Sequence, residues 1–232
     1  MRVLFIIPCY NAEQNLENIG KSLTMQTSDD WDAIIIDDMS EDETFLKAKS
    51  FRKDKFTVVK NTEKKYALRN IVETARQFED VDDIIIAVID GDDYLCNENT
   101  VKILIEEYNK GNDVVWTGHR WDVNNMNISR EMPENVDPYA WPWVSSHLRT
   151  FKSSLISNIG DKNFKDPFGK WFSRGYDQAL MLPIIKVSKS RKYVGEICYV
   201  YNINSVSIPF RDYEEKSQIS SINIVRSRGF LD

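Results

Sequence analysis

The first half of the chain repeats one rhythm. Short β-branched and apolar runs at 3–7, 33–36, 56–59, 84–89 and 114–117 alternate with stretches of helical spacing. Runs this far apart pair in parallel through crossovers, and the usual crossover is a helix. The pattern therefore specifies βαβ units, an α/β chain with a mainly parallel sheet covered on both faces. Leu16, Ile19 and Leu23 give the first helix an apolar stripe, and Val101, Leu104, Ile105 and Tyr108 share a face on a later one. Asn11 with Gln14 and Ser40 with Glu43 have the spacing of helix N-caps with capping-box partners, and Asn99 can cap the later helix.

Two of the strand runs end in acid. AIIIDDMSEDET carries Asp37 and Asp38, and IIIAVIDGDDYL carries Asp90, Asp92 and Asp93. In such a sheet both groups fall at the carboxyl edge, where open α/β folds bind ligands. A calcium loop starting at Asp90 would need glycine and glutamate where Leu95 and Val101 stand. A haloacid-dehalogenase nucleophile would follow the first strand, which instead ends in Pro8, Cys9, Tyr10 and Asn11. Neither G-x-G-x-x-G nor G-x-x-x-x-G-K-[ST] occurs, so no glycine-rich loop is present to cradle a diphosphate. A hard divalent cation held by carboxylates can neutralise phosphates instead, and it would make the crowded aspartates tolerable.

Beyond about residue 118 the rhythm gives way to an irregular stretch rich in Asn, Pro and Trp, the composition of a functional loop or lid. A helical window follows at 176–182, ended by Pro183, then a strand at 192–201; residues from 208 on are polar with weak helical patterning. The balance of 30 Lys+Arg against 36 Asp+Glu gives a formal charge of -6 and no basic stripe, which disfavours long nucleic acid. A local patch of Lys152, Lys162, Lys165 and Lys170 is the exception. Cys9, Cys96 and Cys198 lack disulfide or zinc spacing, and His119 and His147, both isolated, argue against a histidine-rich metal site. Without a signal-peptide pattern or a spanning apolar window, the expectation is a cytoplasmic protein with no integral membrane association.

The ordered set IIPCYN, IIIDDMSEDET, KKYALRN and VIDGDDYL resembles family 2 glycosyltransferases of the GT-A fold, with GYDQAL similar to their acidic ED motif and YNINSVS to a late element. The resemblance covers residues 2–207 and implies a GT-A (Rossmann-like) nucleotide-sugar-binding fold forming a single domain over 1–232. Residues 1–117 would be the nucleotide-sugar-binding half, 118–207 the acceptor-binding and catalytic half, and 208–232 a C-terminal tail. It further implies that Pro8, Tyr10 and Asn11 line the pocket for base and ribose, that Asp38 accepts a hydrogen bond from the base, and that Arg69 approaches the phosphates or base. Asp90 and Gly91 would adjoin the donor, and Asp92 with Asp90 would hold Mn2+ or Mg2+, with Asp93 nearby. Asp177 would be the general base, with Asp166 and Glu196 next in line. The chain departs from the pattern at Tyr176-Asp177, where the family often has Glu-Asp, and at Asn202 or Asn204, where it often has a late histidine.

The activity implied is a metal-dependent inverting transfer from a nucleotide-diphosphate sugar, a UDP-sugar first, to a hydroxyl on a glycan, lipid, protein or modified nucleobase. The segment 116–151 supplies aromatic faces for an acceptor, with Trp143 and His147 as candidates. Two other classes compete. A nucleotidyltransferase on a related α/β fold would show a glycine-rich signature after the first strand, which PCYNAEQN lacks. A non-catalytic glycan-binding homologue would have lost an aspartate, and none of those named is missing.

Overall fold

The computed structural model describes residues 1–203 and 208–232, and the side chains of all of these except 208–215. Strands β1 (Arg2–Cys9), β2 (Trp31–Asp37), β3 (Phe56–Lys60) and β4 (Ile84–Val88) are parallel neighbours in the order β3-β2-β1-β4. Helices α1 (Leu16–Thr24), α2 (Thr44–Ala48) and α3 (Tyr66–Arg76) connect them. The sheet continues through β5 (Tyr94–Leu95), β6 (Val114–Trp121), β7 (Arg149–Lys152) and β8 (Arg191–Tyr201), giving β3-β2-β1-β4-β7-β6-β8-β5. Helix α4 (Thr100–Asn109) precedes β6, and α5 (Tyr176–Val187) and α6 (Ile208–Arg228) flank β8 in sequence.

Strand alternation divides the core. Val3, Phe5 and Ile7 of β1 pack with Leu16, Ile19 and Leu23 of α1 and Val101 and Leu104 of α4, whereas Leu4 and Ile6 pack with Leu68, Ile71 and Val72 of α3 and with α5. Successive side chains leave a strand on opposite faces, so a run apolar at every position is buried on both sides. That is why the short runs read so clearly in the sequence.

The second half departs from the parallel expectation. Strand β7 is antiparallel to both β4 and β6, while β6 runs parallel to β8. The sequence RTFK has only four residues with two cations, too short and polar to announce a strand, yet it lies between two paired neighbours. Strand β6 also extends to Trp121, four residues past the run at 114–117.

Several predicted helix ends move. Asn11 takes a left-handed φ of 48° and does not cap a helix. Its N–H donates to Ser40 Oγ (2.9 Å) and its Oδ1 accepts from Glu41 N–H (2.9 Å), joining the loops after β1 and β2. Ser40 is thereby used too, and Asp42 Oδ1 accepts the Thr44 N–H (3.0 Å) where α2 begins. Asn99 flanks α4, but the Val101 N–H is met by Gln26 Oε1 at 3.1 Å. Helix α5 does not stop at Pro183; it runs to Val187. An interior proline costs about 3 kcal/mol, and burial of Ile184 and Ile185 beyond it offsets this at about 1.5–3 kcal/mol each. The expected tail is helix α6, folded back so that Arg226 donates to Tyr139 O (2.8 Å), Trp141 O (2.8 Å) and Gln178 Oε1 (2.7 Å).

Candidate active site

The carboxyl ends of β1, β2 and β4 converge on the first cluster. Pro8 is buried near the end of β1, and Tyr10, 51% exposed, stands just outside it with Asn11 in the loop clamp. Asp38 is buried, yet its oxygens accept from Asn61 Nδ2 (2.7 Å), Lys65 N–H (2.8 Å) and Tyr66 N–H (2.8 Å). Burial alone would raise its carboxyl, and these donors outweigh it, holding Asp38 below the usual carboxylate range. Lys64 Nζ lies 3.6 Å from Asp38 Oδ2 and over the Tyr10 ring. Arg69 is held on the surface of α3 by Glu63 (2.9 Å) and Glu73 (2.6 Å). Gly91 is fixed by sterics: a Cβ there would sit 2.8 Å from Pro8 O and 3.0 Å from Cys9 Cα, so the acidic turn can approach β1 only as glycine.

The acidic turn is anchored from behind by Arg149 and Tyr199, which belong to no motif, and by Tyr176 and Asn202, which do. Arg149 on β7 is 1% exposed, and its Nη2 donates to both oxygens of Asp90 at 2.9 and 2.8 Å. The Tyr176 hydroxyl bonds to the same carboxylate and accepts from Arg149 Nη2 at 3.1 Å. Tyr199 on β8 accepts the Asp90 N–H (3.0 Å) and donates to Asp93 Oδ2 (2.8 Å), while the Asn202 N–H donates to Asp93 Oδ1 (2.8 Å). Asp92 lies half-buried between Asp90 and Asp93 in the turn, its carbonyl accepting from Asn202 Nδ2 at 3.3 Å. Asn204 lies outside the described residues.

His147 completes the cluster. Ligand-capable atoms of Asp90, Asp93 and His147 lie within 4.8 Å of one another. The imidazole stacks on Tyr199 (4.8 Å) and Tyr201 (5.1 Å), and its buried Nδ1 has no hydrogen-bond partner. Burial, then the charge of Arg149, hold His147 well below its ordinary range, so it is neutral with a lone pair to offer. Asp93 is pushed well above the carboxylate range by burial and then by the negative charges of Asp92 and Asp90. Carboxylate oxygens, an unmet imidazole nitrogen and surplus negative charge suit Mn2+ or Mg2+. The sequence offered two isolated histidines; the fold delivers one of them to the aspartates.

Asp177 occupies the first turn of α5, directly after Tyr176, and is half-buried. Its carboxyl is raised by burial, against the opposing charge of Arg149. The other two candidate acids lie elsewhere in the structure: Asp166 Oδ1 ties down the Phe168 and Lys170 N–H groups, and Glu196 is exposed on β8. Of the two acceptor candidates, His147 joins the acidic centre, whereas Trp143 packs half-buried against the α5-side core. The lysine patch is partly neutralised, with Lys152 on Asp113 (2.8 Å) and Lys165 on Asp161 (2.6 Å). Cys9, Cys96 and Cys198 are free thiols, and among the described residues no helix is long and apolar enough to cross a membrane.

Comparison with known proteins gives consistent results. The model of glycosyl transferase family 2 matches residues 4–179. The Escherichia coli UDP-Glc:alpha-D-GlcNAc-diphosphoundecaprenol beta-1,3-glucosyltransferase WfgD is 26% identical over 219 residues, covering 92% of this chain and 81% of WfgD. S. aureus TarS aligns with a TM-score of 0.71 at 16% identity, over 100% of this chain but only 41% of TarS. TarS 1–349 in complex with UDP-GlcNAc gives 0.71 at 15% identity, over 100% of this chain and 68% of that one. The mannosyltransferase PcManGT from Pyrobaculum calidifontis, in complex with GDP-Man and Mn2+, gives 0.68 at 17% identity, over 99% and 65% of the two chains. At these identities the structural likenesses establish the fold, GT-A.

Proposed function

The chain belongs to glycosyl transferase family 2, and from that premise we propose that it transfers a sugar from a UDP-sugar to an acceptor hydroxyl by metal-dependent inverting displacement. The observation that carries this reading is the bond between the Tyr176 hydroxyl and Asp90. It brings the first turn of α5, and with it Asp177, to the edge where the acidic turn stands.

Residues 1–117 supply the donor side through Pro8, Tyr10, Asn11 and Asp38, and residues 118–207 supply the base and acceptor side. Asp38 accepts from the nucleotide base. Asp92, beside Asp90 and with Asp93 and His147 adjoining, would hold Mn2+ or Mg2+, which when bound supplies positive charge against the leaving diphosphate. Asp177 takes the proton of the acceptor hydroxyl as its oxygen bonds to the anomeric carbon. The bond from that carbon to the phosphate oxygen breaks on the opposite face, and UDP leaves with the electron pair. Burial favours this role, since a carboxylate with a raised pKa is a stronger base. WfgD is named for a lipid-linked saccharide acceptor, so the sugar end of such a carrier is the acceptor class to try first.

Transfer measured with a panel of UDP-sugars should vanish in EDTA and return with Mn2+ or Mg2+. Asp177→Asn should retain donor affinity while turnover falls by about 10²- to 10⁴-fold. Full transfer in chelator would remove the metal from the reading, and wild-type turnover in Asp177→Asn would remove the base.

A further inference from the structure

We propose that Arg149 and Tyr176 are positioning residues that hold the base-bearing turn of α5 against the donor edge through the carboxylate of Asp90. The inference rests on the reading of Asp177 as the base.

Arg149 is the arginine of β7, in register with Val88, so its guanidinium emerges beside the start of the acidic turn. It is 1% exposed, and its Nη2 reaches both Asp90 oxygens and the Tyr176 hydroxyl, with the cation 5.2 Å from the Tyr176 ring centre. Removing a guanidinium from water is costly unless its partners are matched. Here the partners are one carboxylate from the donor side and one hydroxyl from the catalytic helix, so the ion pair is also a bridge between the two. The buried Arg149 Nε has no hydrogen-bond partner, so the arrangement is not the one stability alone would select.

The catalytic turn needs such a bridge. Gly175, which precedes α5, has no side chain with which to cap it and is left-handed with a φ of 63°. The first amides of a helix have no partner within it, so the first turn is where it frays. The first described amide to close a helical bond is Ala179 N–H to Gly175 O at 3.3 Å. Tyr176 is thus the anchor that fixes where Asp177 stands, and a displacement of about 1 Å in such a group can cost about 10²-fold in rate. Arg149 in turn orients both bridge partners.

The test uses Tyr176→Phe, which keeps the ring and removes only the bridging hydroxyl. Its kcat should fall about tenfold to a hundredfold, while KM for the UDP-sugar and the affinity for UDP with Mn2+ stay within about twofold. In the unliganded protein, hydrogen exchange at Ala179 and Leu180 should quicken, with β1 and β4 unchanged. Asp177→Asn should lower kcat without changing that exchange. Because Arg149 and Tyr176 act through one link, Arg149→Lys combined with Tyr176→Phe should cost no more than the worse single change. Unchanged kcat and exchange in Tyr176→Phe would overturn the proposal, as would a KM that rises in step with the loss of rate. The exchange readout needs no turnover: quickened exchange in a protein that transfers from no UDP-sugar would place the failure in the proposed donor, quickened exchange with wild-type turnover in Asp177→Asn would place it in the base assignment, and either would leave the link standing.

Discussion

At the scale of single residues, Asp38 shows how a buried carboxylate can be stable without a metal. Its two oxygens collect backbone N–H groups from Lys65 and Tyr66 and the amide of Asn61, and these keep it ionised. A depressed folded pKa contributes stability above the ordinary aspartate value of about 3.9, lost as pH falls through the folded value. Asp38→Asn would set an amide N–H against a backbone N–H, at a cost of about 1–3 kcal/mol. Denaturant melts at neutral pH should show that loss, and melts near pH 3 should bring wild type and variant closer together; an equal gap at both would contradict the assignment. The placement of Asp38, Asp90, Asp92 and Asp177 was legible because they sit in ordered motifs at strand and helix ends. Arg149 and Tyr199 were not, since a single arginine or tyrosine in an unpatterned strand carries no local signal. Only the sheet order, which places β7 beside β4 and β8 beside β5, reveals what they face.

At the scale of elements, β1, β2 and β4 announced themselves because they are apolar on both faces, and edge strand β3 by its β-branched run, whereas α6 did not. Its apolar patterning is weak, and it is held by arginines that reach carbonyl oxygens. Arg226 spans Tyr139, Trp141 and Gln178, and Arg228 reaches Asn163 O at 2.5 Å and also Lys165 O. Polar clamps of this kind leave no periodic trace in a sequence. Arg226→Met keeps most of the packing and removes three charged or polar bonds, so stability should drop by about 2–3 kcal/mol. For a domain of this size the melting temperature should fall by about 4–12 °C. Turnover should decline as well, because Gln178 adjoins Asp177. A variant that melts like wild type would mean that α6 is held by its apolar contacts alone.

At the scale of the whole molecule, residues 1–117 and 118–207, proposed as donor and acceptor halves, contribute strands to one sheet. Residue 117 falls inside β6, which pairs with β7 and β8, and β7 pairs with β4 of the donor half. The Asp90–Arg149 ion pair crosses between the halves within the core. No weak boundary separates them, so unfolding one half exposes the paired edge and the buried ion pair of the other. The chain should therefore melt in a single cooperative transition by calorimetry, with calorimetric and van't Hoff enthalpies in agreement. Donor-side ligands should then stabilise everything at once. UDP with Mn2+ at about 100 times the dissociation constant adds about 2.7 kcal/mol, which should raise the one transition by about 5–11 °C. EDTA should cancel the shift, and so should Asp92→Asn if that carboxylate holds the ion. If the halves were independent, two transitions would appear and only the donor half would move with ligand, leaving Asp177 on a module that does not sense the donor.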